Sequence, residues 1–382
     1  MKKKWVALVA ALLAMTMLLA ACASKSESTT EQPAANGETE TAAETNTAET
    51  EDEAETATSE PVENVKFAIM FGIGGLGDNG YNDEVYEGCM MAKDQLGVDF
   101  DYCEPADIAE FETQLRGYAD TGEYDTIMVI SSEMVDSLTM VAPDYPDQKF
   151  TMIDSSIEGY DNIHCLTASH PEQHFLSGVL AGIATLDDRF PLCNDENILG
   201  FCIAMDTPTS NAQASGFLAG AKYINPDVEI LTSYIGGYND PATAKELATT
   251  MYERGADIVS VNAGSSSLGV FNAAAEQDKY VIGTSLAMVD GEHSLATSMK
   301  FVQQMVIAEC KALIDGTWSA RTDVYGIKDG VCDYSLEGVN TEIPQDIVDK
   351  INEVKALIAD GTLVLPTQID QVDAWVAENR PS

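Results

Sequence analysis

The chain has 382 residues and carries 63 acidic against 20 basic side chains, a formal net charge of −43. That balance excludes nucleic acid as a partner, because phosphate backbones must be neutralised by Lys and Arg. It equally excludes a basic membrane-binding face, and it bears on solubility and encounter rather than on fold.

The chain opens with Lys2, Lys3 and Lys4, then an apolar run from Trp5 to Leu19, then Ala20-Ala21-Cys22. A charged start, a short apolar core and small residues before a cut point make an export signal. The run falls short of the roughly 20 residues that a membrane span requires. Leu19-Ala20-Ala21-Cys22 resembles a bacterial lipobox. The resemblance implies a signal peptide over residues 1–21 and a lipidated Cys22 as mature N-terminus, on the outer face of the cell membrane. Stable anchoring takes more than one acyl chain, and lipoprotein processing supplies at least two.

Residues 22–63 are mostly Ala, Thr, Ser and Glu, with Lys25 as their lone cation. Such a stretch buries too little apolar surface to offset its ordering entropy and extends by self-repulsion. It is expected to be a disordered acidic tether.

The remainder is long enough for two lobes, each with its own core. Short apolar runs alternate with helical patterns, which indicates βα units around parallel sheets. Val65–Phe71 reads as a strand, followed by a Gly-rich loop and a helix over Asn82–Leu96. Strands follow at Val98–Tyr102, Thr126–Ile130 and Phe150–Ile153, with a helix over Glu110–Asp120. Pro171 then opens a helix with Glu172 in its first turn. Gly178 and Gly182 give that helix a small face suited to packing on a sheet.

The scheme repeats after a junction near His170. Strands are expected at Ile198–Ala204, Val228–Ser233, Ile258–Asn262 and Val281–Gly283. Helices are expected over Asn211–Ile224, Pro241–Arg254, from about Gly264 onward, and over Lys300–Ile314. The pattern weakens after Trp318, and Gln345–Ala359 reads as a late helix. The expected division is lobe one over 64–168 with a crossover segment near 286–315, and lobe two over 169–285 with a segment near 316–340. A helical extension covers 341–382. Hinges are expected near Ser156–His170 and Gly283–Ser294, since hinges lie at element ends.

There are eight cysteines, and the lipid takes Cys22. The others lack a Cys-x-x-Cys and are too dispersed for a zinc site or a dense disulfide framework. Several sit in apolar runs, such as Cys202 in Leu199–Ile203, where Cys behaves as a small hydrophobe. Buried free thiols are expected.

Ligands of open α/β sheets bind beyond the carboxyl ends of the strands. Ser132, Asp154, Gly264 and Ser285 stand at such ends. Gly72-Ile73-Gly74-Gly75-Leu76-Gly77 has the letters of a dinucleotide fingerprint, but Asp78-Asn79-Gly80 is a turn signal and delays the helix. The pyrophosphate of such a cofactor must meet the helix N-terminus, so no cofactor is expected. His170 and His174 stand four apart, yet no third ligand has metal-like spacing and His170 precedes Pro171, outside the expected helix; no metal is expected. Neither a Gly-x-Ser-x-Gly elbow nor a His-Glu-x-x-His motif occurs, so no enzyme activity is expected.

Gly77–Asn82 running to Tyr86-Glu87-Gly88 is similar to the Asp-x-x-Phe-Asn…Gly motif of the basic membrane protein family, lipoproteins that bind substrates for ABC transporters. Met152–Ser155, Phe175–Gly182, Gly216–Lys222, Gly237–Pro241, Gly255–Ile258, Ala263–Val270 and Thr297–Lys300 continue the resemblance in order and spacing. The resemblance implies a type I periplasmic-binding-protein fold, with two Rossmann-like lobes and a nucleoside in the cleft between them. Tyr81 and Tyr238 take the places of aromatics that sandwich the base. Asp78, Asn82 and Asp154 take places that meet polar edges, and Lys300 one that reaches ribose hydroxyls. The chain departs from the family at Ile282-Gly283-Thr284-Ser285, where Ser285 stands in place of an Asp that grips the ribose diol. A hydroxyl bonds there without charge assistance. The implied partners are an ABC permease and its ATPase, with the membrane touched only through the lipid. The same closing cleft would serve a ligand-sensing lipoprotein for a sugar, a flavin or a signal molecule, acting through a membrane signalling partner.

Overall fold

The expected alternation of strands and helices closes into two separate six-stranded sheets. The computed structural model describes residues 63–381 apart from 74, 78, 79 and 131. The leader, Cys22 and the acidic stretch behind it therefore lie outside the described residues.

The first sheet takes β1 (Lys66–Met70), β2 (Asp99–Cys103), β3 (Thr126–Ile130), β4 (Phe150–Ile153) and β5 (Ile163–Ala168). Helices α1 (Tyr81–Leu96), α2 (Phe111–Thr121) and α3 (Val135–Val141) connect its earlier strands. Crossing after β5, the chain forms α4 (His170–Ala184), β6 (Ile198–Ile203), α5 (Pro208–Ile224), β7 (Glu229–Tyr234), α6 (Pro241–Glu253), β8 (Ala256–Asn262), α7 (Ser267–Gln277) and β9 (Tyr280–Gly283). Then come β10 (Ser294–Lys300), α8 (Val302–Ile314), β11 (Thr322–Tyr325), β12 (Cys332–Ser335), α9 (Gln345–Ala359) and α10 (Val372–Asn379). The sheet orders are β11-β5-β4-β3-β1-β2 and β12-β10-β9-β8-β6-β7. All pairings are parallel except β10 with β12. Parallel strands are covered on both faces, which is why Thr126–Ile130 is buried at every position.

The chain passes between the sheets after β5, after β10 and between β11 and β12. Two expectations change as a result. Residues 284–293 do not cross, because β9 and β10 lie side by side in the second sheet; the crossing comes at Phe301. The segments near 286–315 and 316–340 are each divided: β10 joins the second sheet while α8 packs on α1, and β11 joins the first sheet while β12 joins the second. Ser294–Lys300 is buried up to its last residue yet mixes Ser, Thr and Ala with only two larger apolar residues. It therefore carries little strand signal, and Lys300 ends a strand where the sequence suggests a helix start.

Helices α4 and α5 pack backbone to backbone. A Cβ on Gly178 would lie 2.3 Å from the Phe217 carbonyl oxygen, and one on Gly220 would lie 2.1 Å from that of Phe175. The small face of Gly178 and Gly182 thus meets a helix rather than a sheet, because Gly216 and Gly220 on α5 remove the matching side chains. Gly178→Val is expected to cost at least the 1–3 kcal/mol usual for overpacking, read as a lower urea midpoint. An unchanged midpoint would mean that the two helices part freely.

Among the described residues every cysteine is a free thiol. Cys89, Cys165, Cys202, Cys310 and Cys332 are buried, as expected for small hydrophobes, while Cys103 and Cys193 are half-buried. Burial pushes the Cys202 thiol up to about 12.

Candidate functional site

A cavity of about 1380 Å³ opens between the two sheets, where strand ends and helix starts converge. The first sheet's side contributes Tyr81 and Asn82 from the start of α1, Ser132 after β3 and Asp154 after β4. The second contributes Tyr238 after β7, Asn262 at the end of β8 and Lys300 at the end of β10. Parallel strands deliver all of these from their carboxyl ends.

The centre of the site is Lys300. Its ammonium donates to Asp154 Oδ2 at 2.5 Å and sits 5.1 Å from the centroid of the Tyr81 ring. Asp154 holds φ at +66°, a left-handed backbone that costs a non-Gly residue roughly 1–3 kcal/mol and gathers at functional sites. Its N–H donates to the Leu166 carbonyl at 2.7 Å, so β5 holds the turn.

Asp154 Oδ1, Tyr81 Oη and His170 Nδ1 are buried without a hydrogen-bond partner among the described residues. Buried polar atoms left unpaired are uncommon, and these three belong to residues lining one cavity. Burial, with Asp154 and Glu84 adding to it, raises the Tyr81 hydroxyl well above its ordinary value, so the phenol stays neutral. Burial also holds His170 below the usual imidazole range; Asp154 opposes this and Lys300 adds to it.

Tyr81, Asn82, Ser132, Asp154, Tyr238 and Lys300 therefore line one cavity. Asn82 is buried and its side-chain oxygen accepts the Gly72 N–H at 2.9 Å, so it also fixes the loop after β1. Tyr238 is 50% exposed; its carbonyl accepts from Ser266 N at 3.1 Å and from Ser265 Oγ at 3.0 Å. Gly264 lies beneath that loop instead of on the cavity. Its φ is +53°, and a Cβ there would lie 3.1 Å from the Tyr238 carbonyl oxygen. Ser285 also stays off the cavity wall: its hydroxyl accepts the Ala287 N–H at 3.3 Å. Serine readily caps a local turn in this way. Asp78 lies outside the described residues.

The first helical residue of α4 is His170, with Ser169 as its N-cap, where the sequence places His170 outside the helix. A proline in the first turn costs no hydrogen bond, since those N–H groups lack helical partners anyway. His170 thereby enters the cavity wall, while His174 is buried with its ring centroid 5.5 Å from that of Phe201. Among the described residues no three His, Cys, Asp or Glu side chains form a metal-holding group. The Gly-rich loop runs on to Tyr81 before the helix starts. Glu104 accepts the Leu76 N–H at 2.8 Å and Asp83 accepts the Gly77 N–H at 2.7 Å. Carboxylates therefore take the donors that a pyrophosphate would need.

Sequence reasoning weighed His170 only as a metal ligand and overlooked the stretch 361–368; both line the cavity. The Ser169-His170-Pro171 triplet carried a usable signal, because a proline pins the helix start beside a strand end. Nothing local marked Leu363 or Leu365.

Residues 65–368 match the family model described as ABC transporter substrate-binding protein PnrA-like. The chain belongs to that family. It is similar to an uncharacterized lipoprotein of Pyrococcus abyssi, 30% identical over 72% of this chain and 70% of that one. It is 26% identical to the ABC transporter nucleoside-binding protein BmpA of Lactococcus lactis subsp. cremoris, over 80% of this chain and 90% of that one. Among solved structures, the ABC transporter system solute-binding protein of Aeropyrum pernix K1 superposes with a TM-score of 0.66 at 26% identity, covering 82% and 97% of the two chains. The fold is that of the periplasmic binding proteins, and the family is one of substrate-binding components. The family match ends at 368, ahead of α10.

Proposed function

We propose that the chain is a receptor rather than an enzyme, lipid-anchored through Cys22 on the outer face of the cell membrane. It captures a heteroaromatic ligand, a purine nucleoside, by lobe closure and delivers it to an ABC permease and its ATPase. The observation that carries the ligand class is the pairing of aromatic and polar groups in one cavity: Tyr81 and Tyr238 with Asp154 and Lys300. Aromatic faces stack on any base, and the unpartnered Asp154 and Tyr81 oxygens suit the hydroxyl and N–H groups of a nucleoside. A relative named as nucleoside-binding supports the same class.

A thermal-shift screen of the mature chain against nucleosides, free bases, sugars and flavins tests this. A ligand that binds only the folded state adds about 2.7 kcal/mol at a hundredfold excess over Kd, which raises Tm by several degrees. Purine nucleosides are expected to shift Tm most. A plain sugar shifting it most would replace the nucleoside reading.

A further inference from the structure

The polar end of the cavity contains a group that neither the family resemblance nor the comparisons assign. Lys300 is engaged by Asp154, so the pair presents little net charge to a ligand. What remains open among the described residues is one carboxylate oxygen, one phenol and one imidazole nitrogen: Asp154 Oδ1, Tyr81 Oη and His170 Nδ1. They come from three separate elements, the end of β4, the start of α1 and the start of α4. Such a set suits a neutral ligand rich in hydroxyls. Ser285 is turned to its own helical turn and offers nothing to this wall.

We propose that His170 is a specificity-determining residue of the cleft, its imidazole meeting a sugar hydroxyl of the ligand beside Asp154. This rests on the nucleoside reading above. The position supports it: His170 starts α4 directly after the first crossing between the sheets and lines the cavity between them. Asp154 and Lys300 line the same cavity and act electrostatically on the His170 imidazole. A neutral imidazole can donate to a hydroxyl oxygen or accept from its hydrogen, according to its tautomer.

The test is calorimetric titration of the mature chain and its His170→Ala and His170→Asn variants with adenosine, 2′-deoxyadenosine and 3′-deoxyadenosine. Losing one neutral hydrogen bond should weaken adenosine about three- to tenfold in His170→Ala. The deoxy analogue lacking the contacted hydroxyl should lose almost nothing, so the parent's preference for adenosine over it collapses. His170→Asn, which keeps a short hydrogen-bonding side chain, should retain part of that preference. Equal weakening of all three ligands, or no weakening, overturns the assignment and leaves the nucleoside reading standing. A parent chain that binds none of the three overturns the nucleoside reading and this assignment together.

Discussion

Glu309→Leu is expected to destabilise the folded chain by about 3–5 kcal/mol, the usual cost of removing one member of a buried ionic group. Glu309 is 0% exposed and His164 1%. One carboxylate oxygen accepts from Thr151 Oγ1 at 2.5 Å and from Trp318 Nε1 at 2.8 Å. The other lies 2.5 Å from His164 Nδ1, and His164 Nε2 lies 3.1 Å from Asp323 Oδ2. The substitution takes a shared partner from Thr151, Trp318 and His164 at once, while Thr151 keeps Thr126 and His164 keeps Asp323. It also unties α8 from β4 and β5, at the point where the chain has returned to the first sheet.

The same cluster gives a pH dependence. Burial acts to lower the His164 pKa, but the hydrogen bond and charge of Glu309, with Asp323, outweigh it and hold the group above 6.5. A raised folded pKa contributes stability that is full below the unfolded value and is lost as pH rises through the folded one. Urea midpoints of parent and Glu309→Leu should therefore draw together from pH 6.5 to 8, below the range where unfolded thiols ionise. A gap that holds constant across that range would mean that His164 is neutral throughout.

The second large effect falls on the ligand. Tyr238→Ala and Tyr81→Ala should each cost about 1–3 kcal/mol of binding, or roughly five- to 150-fold in Kd. Adenosine titrated calorimetrically is the probe. Tyr238→Phe should bind like the parent, because stacking needs the ring and not the hydroxyl. Tyr81→Phe should bind more weakly than the parent, because the Tyr81 hydroxyl is buried in the cavity without a partner among the described residues. Tyr238→Ala binding as tightly as the parent would remove that ring from the ligand's surroundings.

Most strands were legible because parallel strands covered on both faces must be near-continuously apolar, as Phe67–Met70 and Ile127–Ile130 are. Helix ends were legible where a cap or a proline fixes them, as at Asp240-Pro241, where Asp240 accepts the Thr243 N–H. Ser294–Lys300 and Thr322–Tyr325 were not. The first is a buried strand of mostly small residues, and the second is a short edge strand half open to solvent. Neither shows a period that distinguishes strand from loop. Tyr81, Asp154, Tyr238 and Lys300 could be named from motif resemblance, since each follows or ends a strand. For His170 the sequence offered only a helix start, because its place in the cavity wall depends on where the crossing after β5 aims α4.

The sequence by itself determined the alternating α/β architecture and the acidic character, and it set the expectation of a leader and of a cleft at strand ends. Those follow from local composition and period, which need no knowledge of distant contacts. Only the tertiary structure decided which sheet each late strand joins and that Gly178 faces Phe217 on a helix. It alone showed that Ser285 caps its own turn and that Lys300 is paired with Asp154, 146 positions away in sequence. Such pairings depend on chain crossings between sheets, and a crossing leaves no periodic mark on the residues that make it.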